Sequence, residues 1–238
     1  MGYDNIREEV AEACNILGTQ GFEEFGFPGH VSARIPKENK FAVLGHLHHE
    51  KPGKGMGDAT KDDIIIVDLN GKKVEGELHP VGELIIHTSI YRARKDVGAV
   101  VHCHPPTIVA FSTTEAKVLP INVIYMAGPV NGISYLDLGA RLITTDRDGE
   151  RLVRSLRKGS MVIQRGHGAV AVGRRVQEAV INMIFVEKSL RLQSAAQNFG
   201  GSRGFNGIKS NYGDERREDI IDDSYNYFKR RVKVNKES

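Results

Sequence analysis

Two tight turns constrain the fold of this chain more than any other feature: Asn70-Gly71 and Arg165-Gly166-His167-Gly168, each set between short apolar runs. Asn-Gly flanked by β-branched residues favours a two-residue hairpin. Residues 63–69 (DIIIVDL) and Lys73–Glu75 are therefore expected to pair as antiparallel strands, and Met161–Gln164 to pair with residues 169–172. His30–Arg34 and Lys40–Leu44 are further short β runs around Pro36 and a polar turn. Residues 98–102 (GAVVH) read as a buried strand stopped by Pro105-Pro106, and one more strand is expected over 121–125.

Between these runs the apolar period changes to that of a helix. Residues 4–20 place Ile6, Val10, Ala13, Cys14 and Leu17 on one face, with Asp4 as a cap and Gly18 near the stop. After Pro80, Leu84, Ile86, His87, Ile90 and Tyr91 define a helix ending near Arg94. Shorter helices are expected over 107–112 and 148–158, and the longest over 175–197, a broad apolar face carrying the charge of Glu187. Residues 46–60 hold Gly53, Gly55, Gly57 and Pro52 without any hydrophobic period. They are expected to be a long mobile loop carrying His46, His48 and His49.

Helices and strands interleave, so residues 1–200 are read as one α/β domain whose central, mostly antiparallel sheet is flanked by helices. Residues 201–238 are a C-terminal linker and helix. The glycine-rich stretch 199–213 gives way to a helical pattern through Ile220, Ile221, Tyr225 and Phe228, acidic at its start and basic at Lys229, Arg230, Arg231 and Lys233. Such end charges suit a helix dipole. Three readings stand for this segment: a surface helix, a basic anion site, or a cover for a neighbouring subunit.

Composition narrows the partners. With 40% hydrophobic and 26% charged residues, the 238-residue chain is globular rather than disordered. Two cysteines are too few for a disulfide framework, and beside nine histidines they suit a reducing compartment. No apolar run approaches the roughly 18 residues of a membrane span, and the opening MGYDNIREEV has no apolar h-region. A cytoplasmic protein with no membrane partner is expected. A formal charge of +3 and the absence of tryptophan argue against nucleic acid as a partner.

Chemistry concentrates at His102-Cys103-His104, at the end of an apolar strand. Residues i and i+2 of a strand share a face, so the two imidazoles converge while Cys103 points away. His167 lies between two glycines in a tight turn, where backbone can approach a bound group closely. Three histidines with one position open match a catalytic metal centre better than a closed structural one; the alternative is a set of ordinary buried or surface histidines. Glu83, at the start of the helix that feeds the histidine strand, is either a first-turn glutamate favoured by the dipole or a fourth ligand and proton carrier. His87, one turn further on, is either a partner supporting the metal ligands or a buried helix residue.

On these residues the chain resembles the class II aldolase/adducin family. The family pattern is met by Gly29-His30-Val31-Ser32-Ala33-Arg34, by Glu83 before a helix, by residues 90–105 (IYRARKDVGAVVHCHP) and by His167-Gly168, across roughly residues 5–195. The resemblance implies that His102, His104 and His167 bind Zn²⁺, with Mn²⁺, Fe²⁺ or Co²⁺ as alternatives, and that Glu83 is the acid/base group. It also implies a homotetramer with sites between subunits, where a tyrosine from a neighbour protonates the leaving group; Tyr125 falls close to that place. Where sugar-phosphate members hold phosphate with an asparagine and a serine pair, this chain has His30, Val81 and Gly82 as its substrate-binding candidates.

The expected function is that of a metal-dependent carbon–carbon lyase acting through an enediolate- or enolate-like intermediate. Its small-molecule substrate is expected to be a non-phosphorylated hydroxy-carbonyl or hydroxy-carboxylic acid, cleaved by decarboxylation or retro-aldol reaction. The alternatives are a sugar-phosphate aldolase of the fuculose-phosphate type, a non-catalytic adducin-like binding protein and a non-heme iron oxygenase.

Overall fold

Strand pairing follows the turns. In the computed structural model, which describes residues 2–23, 29–122, 128–129, 132–205 and 214–237, β3 (Ile64–Asp68) and β4 (Lys73–Glu75) pair antiparallel across Asn70-Gly71. Gly71 takes φ 86°, the left-handed region open to glycine. β1 (His30–Arg34) and β2 (Lys40–Leu44) form a second hairpin, and β7 (Met161–Gln164) and β8 (Gly168–Gly173) a third. With β5 (Ala99–Cys103) and β6 (Ile133–Leu136) they complete one eight-stranded sheet in the order β4-β3-β2-β1-β5-β8-β7-β6. Every pairing is antiparallel except that of β6 with β7.

The alternation of side chains divides this sheet into two faces. Val31, Ala33, Ala42, Val101, Cys103 and Ala171 are buried on one, against α1 (Asp4–Thr19) and α6 (Val176–Ala195). His30, Ser32, Phe41 and His102 are buried on the other, which meets α3 (Leu84–Ala93) through His87 and Tyr91. α5 (Asp146–Leu156) packs beside α3. α6 is buried along most of its length, and buried polar side chains on it are drawn into hydrogen bonds. Asn182 donates to the Val172 carbonyl at 2.9 Å, and Glu187 accepts from the amides of Ile108 (2.9 Å) and Thr107 (3.3 Å) at the start of α4 (Pro106–Ser112).

Three expectations are corrected. The 46–60 segment is not a structureless loop: α2 (Leu47–Glu50) and a 3₁₀ turn at Met56–Asp58 order it. The Glu23 carboxylate accepts from the Met56 amide at 2.5 Å and the Gly57 amide at 3.1 Å, and Met56 is fully buried. Asp4 is the first residue of α1, and no side chain caps that helix. Ile121 and Asn122 carry no strand, and 123–127, Tyr125 included, lie outside the described residues. The helix expected in the C-terminal segment is present as α7 (Asp214–Glu237), which packs on its own chain: Lys229 pairs with Glu12 of α1 at 2.7 Å, Arg217 with Glu178 of α6 at 2.9 Å, and Ile221, Tyr225 and Phe228 are buried.

Candidate active site

Three elements end at one point. β5 runs out at Cys103, the β7–β8 turn carries His167, and Glu83 is the residue from which α3 starts. Their approach depends on two glycines. A Cβ on Gly29 would lie 2.2 Å from the His102 carbonyl oxygen, and one on Gly168 would lie 2.4 Å from that of Cys103. Any larger residue would push β1 or β8 off the end of β5.

Glu83, His102, His104 and His167 each turn one ligand atom inward, and the four atoms lie within 4.8 Å of one another. Glu83 Oε2 is 3.4 Å from both His102 Nε2 and His167 Nε2. His104 Nε2 faces His167 Nε2 at 3.1 Å, with the two rings 4° from parallel. A tetrahedral ion with bonds of about 2.0–2.1 Å holds its ligand atoms about 3.3 Å apart, so three of these separations already match one. The donor chemistry agrees. His102 Nδ1 hydrogen-bonds the Ala169 carbonyl at 3.1 Å, which places the proton there and directs the bare Nε2 inward. That Nε2 is buried and has no hydrogen-bond partner among the described residues, as suits a metal ligand. The residues present therefore fit a divalent cation. Cys103 is buried on the opposite face, as the strand period requires.

Glu83 is held as well as charged. Its Oε1 accepts from the Ile143 amide at 2.7 Å, leaving Oε2 for the cluster. Burial raises its carboxyl, but the imidazoles of His102 and His167 outweigh that and hold it well below the ordinary carboxylate range. The segment that supplies Ile143 was read in the sequence only as a glycine-containing passage; it carries no period that would single it out.

A cavity of about 740 Å³ opens over the cluster. Glu83, His104 and His167 line it with His30, His46, Val81 and Gly82, and Leu44, Leu47, Val109 and Leu142 make its walls apolar. No lysine or arginine is among these lining residues. His30, Val81 and Gly82, the three substrate-binding candidates, all line this cavity. His87 does not touch the four cluster groups through a hydrogen bond. Its Nε2 lies 2.6 Å from His30 Nδ1 and its Nδ1 2.6 Å from Ser32 Oγ. Burial, with the neighbouring His102 adding to it, pushes His87 down to about 3, and burial with the adjacent His87 also lowers His30. Sequence reasoning missed Ser32 and Tyr91 in this group, although Ser32 is two residues from His30 on one strand and so shares its face.

A mostly antiparallel sheet with a histidine-glutamate centre at the end of its central strand defines the class. The chain belongs to the class II aldolase and adducin family, whose model, described as the Class II Aldolase and Adducin N-terminal domain, matches residues 8–194. It is similar to a 3,4-dihydroxyphthalate decarboxylase from Terrabacter sp., 31% identical over 209 residues that cover 85% of each chain. An L-fuculose phosphate aldolase from Methanococcus maripaludis is 30% identical over 193 residues, 80% of this chain and 97% of that one. Both relatives are lyases. Among solved structures, an aldolase II superfamily protein from Pseudomonas syringae shares the fold with a TM-score of 0.81 at 22% identity, over 97% of this chain and 93% of that one.

Proposed function

We propose that this protein is a metal-dependent carbon–carbon lyase that decarboxylates a small hydroxylated aromatic carboxylic acid. The observation that carries the reading is the three-histidine, one-glutamate cluster at the floor of an apolar cavity lined by no described lysine or arginine. The 31% identity to a 3,4-dihydroxyphthalate decarboxylase supports it. His102, His104 and His167 would hold the cation, Zn²⁺ first and Mn²⁺, Fe²⁺ or Co²⁺ as alternatives. A bound cation supplies Lewis-acid stabilisation of negative charge on substrate oxygens while the carbon–carbon bond breaks.

The remaining work falls to the chain. Leu44, Leu47, Val109 and Leu142 receive an aromatic ring and exclude water from it. The ionised Glu83 accepts the proton of a substrate hydroxyl at Oε2. As carbon dioxide departs, the electrons of the broken bond stay on the ring carbon, and Glu83 returns its proton there. The Ile143 amide keeps the carboxylate aimed throughout this exchange. Tyr125 is proposed as a second acid. The active form is proposed to be a cytoplasmic homotetramer, with residues 1–200 as the catalytic unit and 201–238 as an appended segment. A sugar-phosphate substrate is disfavoured because Val81 and Gly82 bring no hydroxyl to the cavity.

The test is carbon dioxide release across a panel of hydroxylated aromatic acids that includes 3,4-dihydroxyphthalate, with competitors. Hydroxy-carboxylates should inhibit well, and phosphoglycolate weakly. Tight active-site binding of phosphoglycolate would return the protein to the sugar-phosphate aldolases.

A further inference from the structure

Behind the cavity a chain of polar side chains runs between the sheet and α3. His30 Nδ1 lies 2.6 Å from His87 Nε2, His87 Nδ1 lies 2.6 Å from Ser32 Oγ, and Ser32 Oγ lies 2.8 Å from the Tyr91 hydroxyl. Ser32, His87 and Tyr91 are completely or almost completely buried, with Phe41 packed against the rings of both His87 and Tyr91. Only His30 reaches the cavity. Nothing in the proposed proton transfer uses this chain.

Each short separation holds one proton, and if Ser32 accepted from both His87 and Tyr91 its own buried hydrogen would have no acceptor among these groups, so the four donate in a single direction. If the protons ran from His30 toward Tyr91, the buried phenol hydrogen would need an acceptor, and the two partners of the Tyr91 hydroxyl among the described residues, Ser32 Oγ and the Val100 amide, would both be donating to it. In the opposite direction every donor is used. Tyr91 donates to Ser32, Ser32 to His87 Nδ1, and His87 Nε2 to His30 Nδ1. His30 then carries its own proton on Nε2, its remaining polar atom.

We propose that Ser32, His87 and Tyr91 are positioning residues that fix His30 as a hydrogen-bond donor, through Nε2, to a substrate carboxylate in the cavity. This rests on the lyase reading for the nature of the substrate, whereas the direction of the chain stands on the geometry alone. With no described lysine or arginine lining the cavity, a donor locked in place is what distinguishes a carboxylate-bearing ring from an uncharged one. Loss of the Ser32 hydroxyl removes the hydrogen that His87 Nδ1 accepts, so the His87–His30 pair can reverse and present a bare nitrogen instead.

Two measurements on the zinc-loaded full-length protein test this. Nitrogen-15 NMR of labelled histidines should show His30 and His87 both protonated on Nε2; His87 protonated on Nδ1 would overturn the proposal. Calorimetric binding of salicylate, a carboxylate probe, should weaken roughly 10- to 100-fold in Ser32→Ala, with metal content unchanged. His30→Gln supplies an amide donor that needs no chain behind it, so adding Ser32→Ala to that background should cost nothing further. His87→Phe breaks the same chain if Ser32→Ala does not fold. An equal loss in both backgrounds, or no binding of salicylate to the wild type, would overturn the inference. Failure of the lyase reading appears separately, as absence of carbon dioxide release while the tautomers and probe binding persist.

Discussion

Glu83 separates two functions that its neighbours combine. Its charge completes the cluster, while its second oxygen is tied to the Ile143 amide. Glu83→Gln preserves shape and removes proton transfer, so metal content should stay near one per chain while kcat falls about 10²-fold or more. An unchanged kcat would move the proton chemistry elsewhere. Alanine at His102, His104 or His167 should instead remove the metal, as elemental analysis of each purified variant would show. His87 gives a stability signature. Its imidazole is neutral in the folded protein down to about 3, whereas the unfolded side chain takes a proton near pH 6.5. The unfolded state therefore binds more protons as pH falls, and stability is lost from about 6.5 downward. Urea denaturation of metal-free protein should show about 1.4 kcal/mol less stability from this residue at pH 5.5 than at pH 7.5. His87→Gln should flatten that share of the dependence. The convergence of His102 and His104 was legible from strand period, and His167 from its glycines; the Ile143 contact was not, because a backbone amide leaves no mark in the residue pattern.

At the level of elements, local chemistry was legible wherever a turn or a period announced it. His30–Arg34, Lys40–Leu44 and Met161–Gln164 are strands with the bounds their residues suggested. β6 was missed: Ile133–Leu136 is short, half-exposed, and pairs parallel with β7, which no hairpin turn can signal. The 46–60 segment was misjudged for a related reason. Its order comes from Glu23, more than thirty residues earlier in the chain, and from Asp63, which accepts from the Thr60 amide and hydroxyl at 2.8 Å each. Long-range pairing also decides α4, which starts two residues beyond His104. Its first free amides are satisfied by Glu187 from the middle of α6. Glu187→Ala should lower stability by about 1–3 kcal/mol and weaken metal retention, read from the urea midpoint and from dialysis against a chelator. Intact stability would show that the α4 amides find other acceptors.

For the whole molecule, the sheet brings residues from distant parts of the chain to one end of β5 and leaves the cavity above them open. Light scattering is expected to give a tetramer, and an active monomer would contradict the proposed assembly. The central claim is that this open centre breaks a carbon–carbon bond by metal-assisted charge stabilisation. Carbon dioxide release from 3,4-dihydroxyphthalate and related hydroxylated aromatic acids, measured without oxygen before and after removal of the metal by a chelator, tests it most directly. The expected result is anaerobic release that stops on chelation and returns when divalent metal is restored. Release that requires oxygen, that survives complete metal removal, or that occurs with no acid in the panel would contradict it.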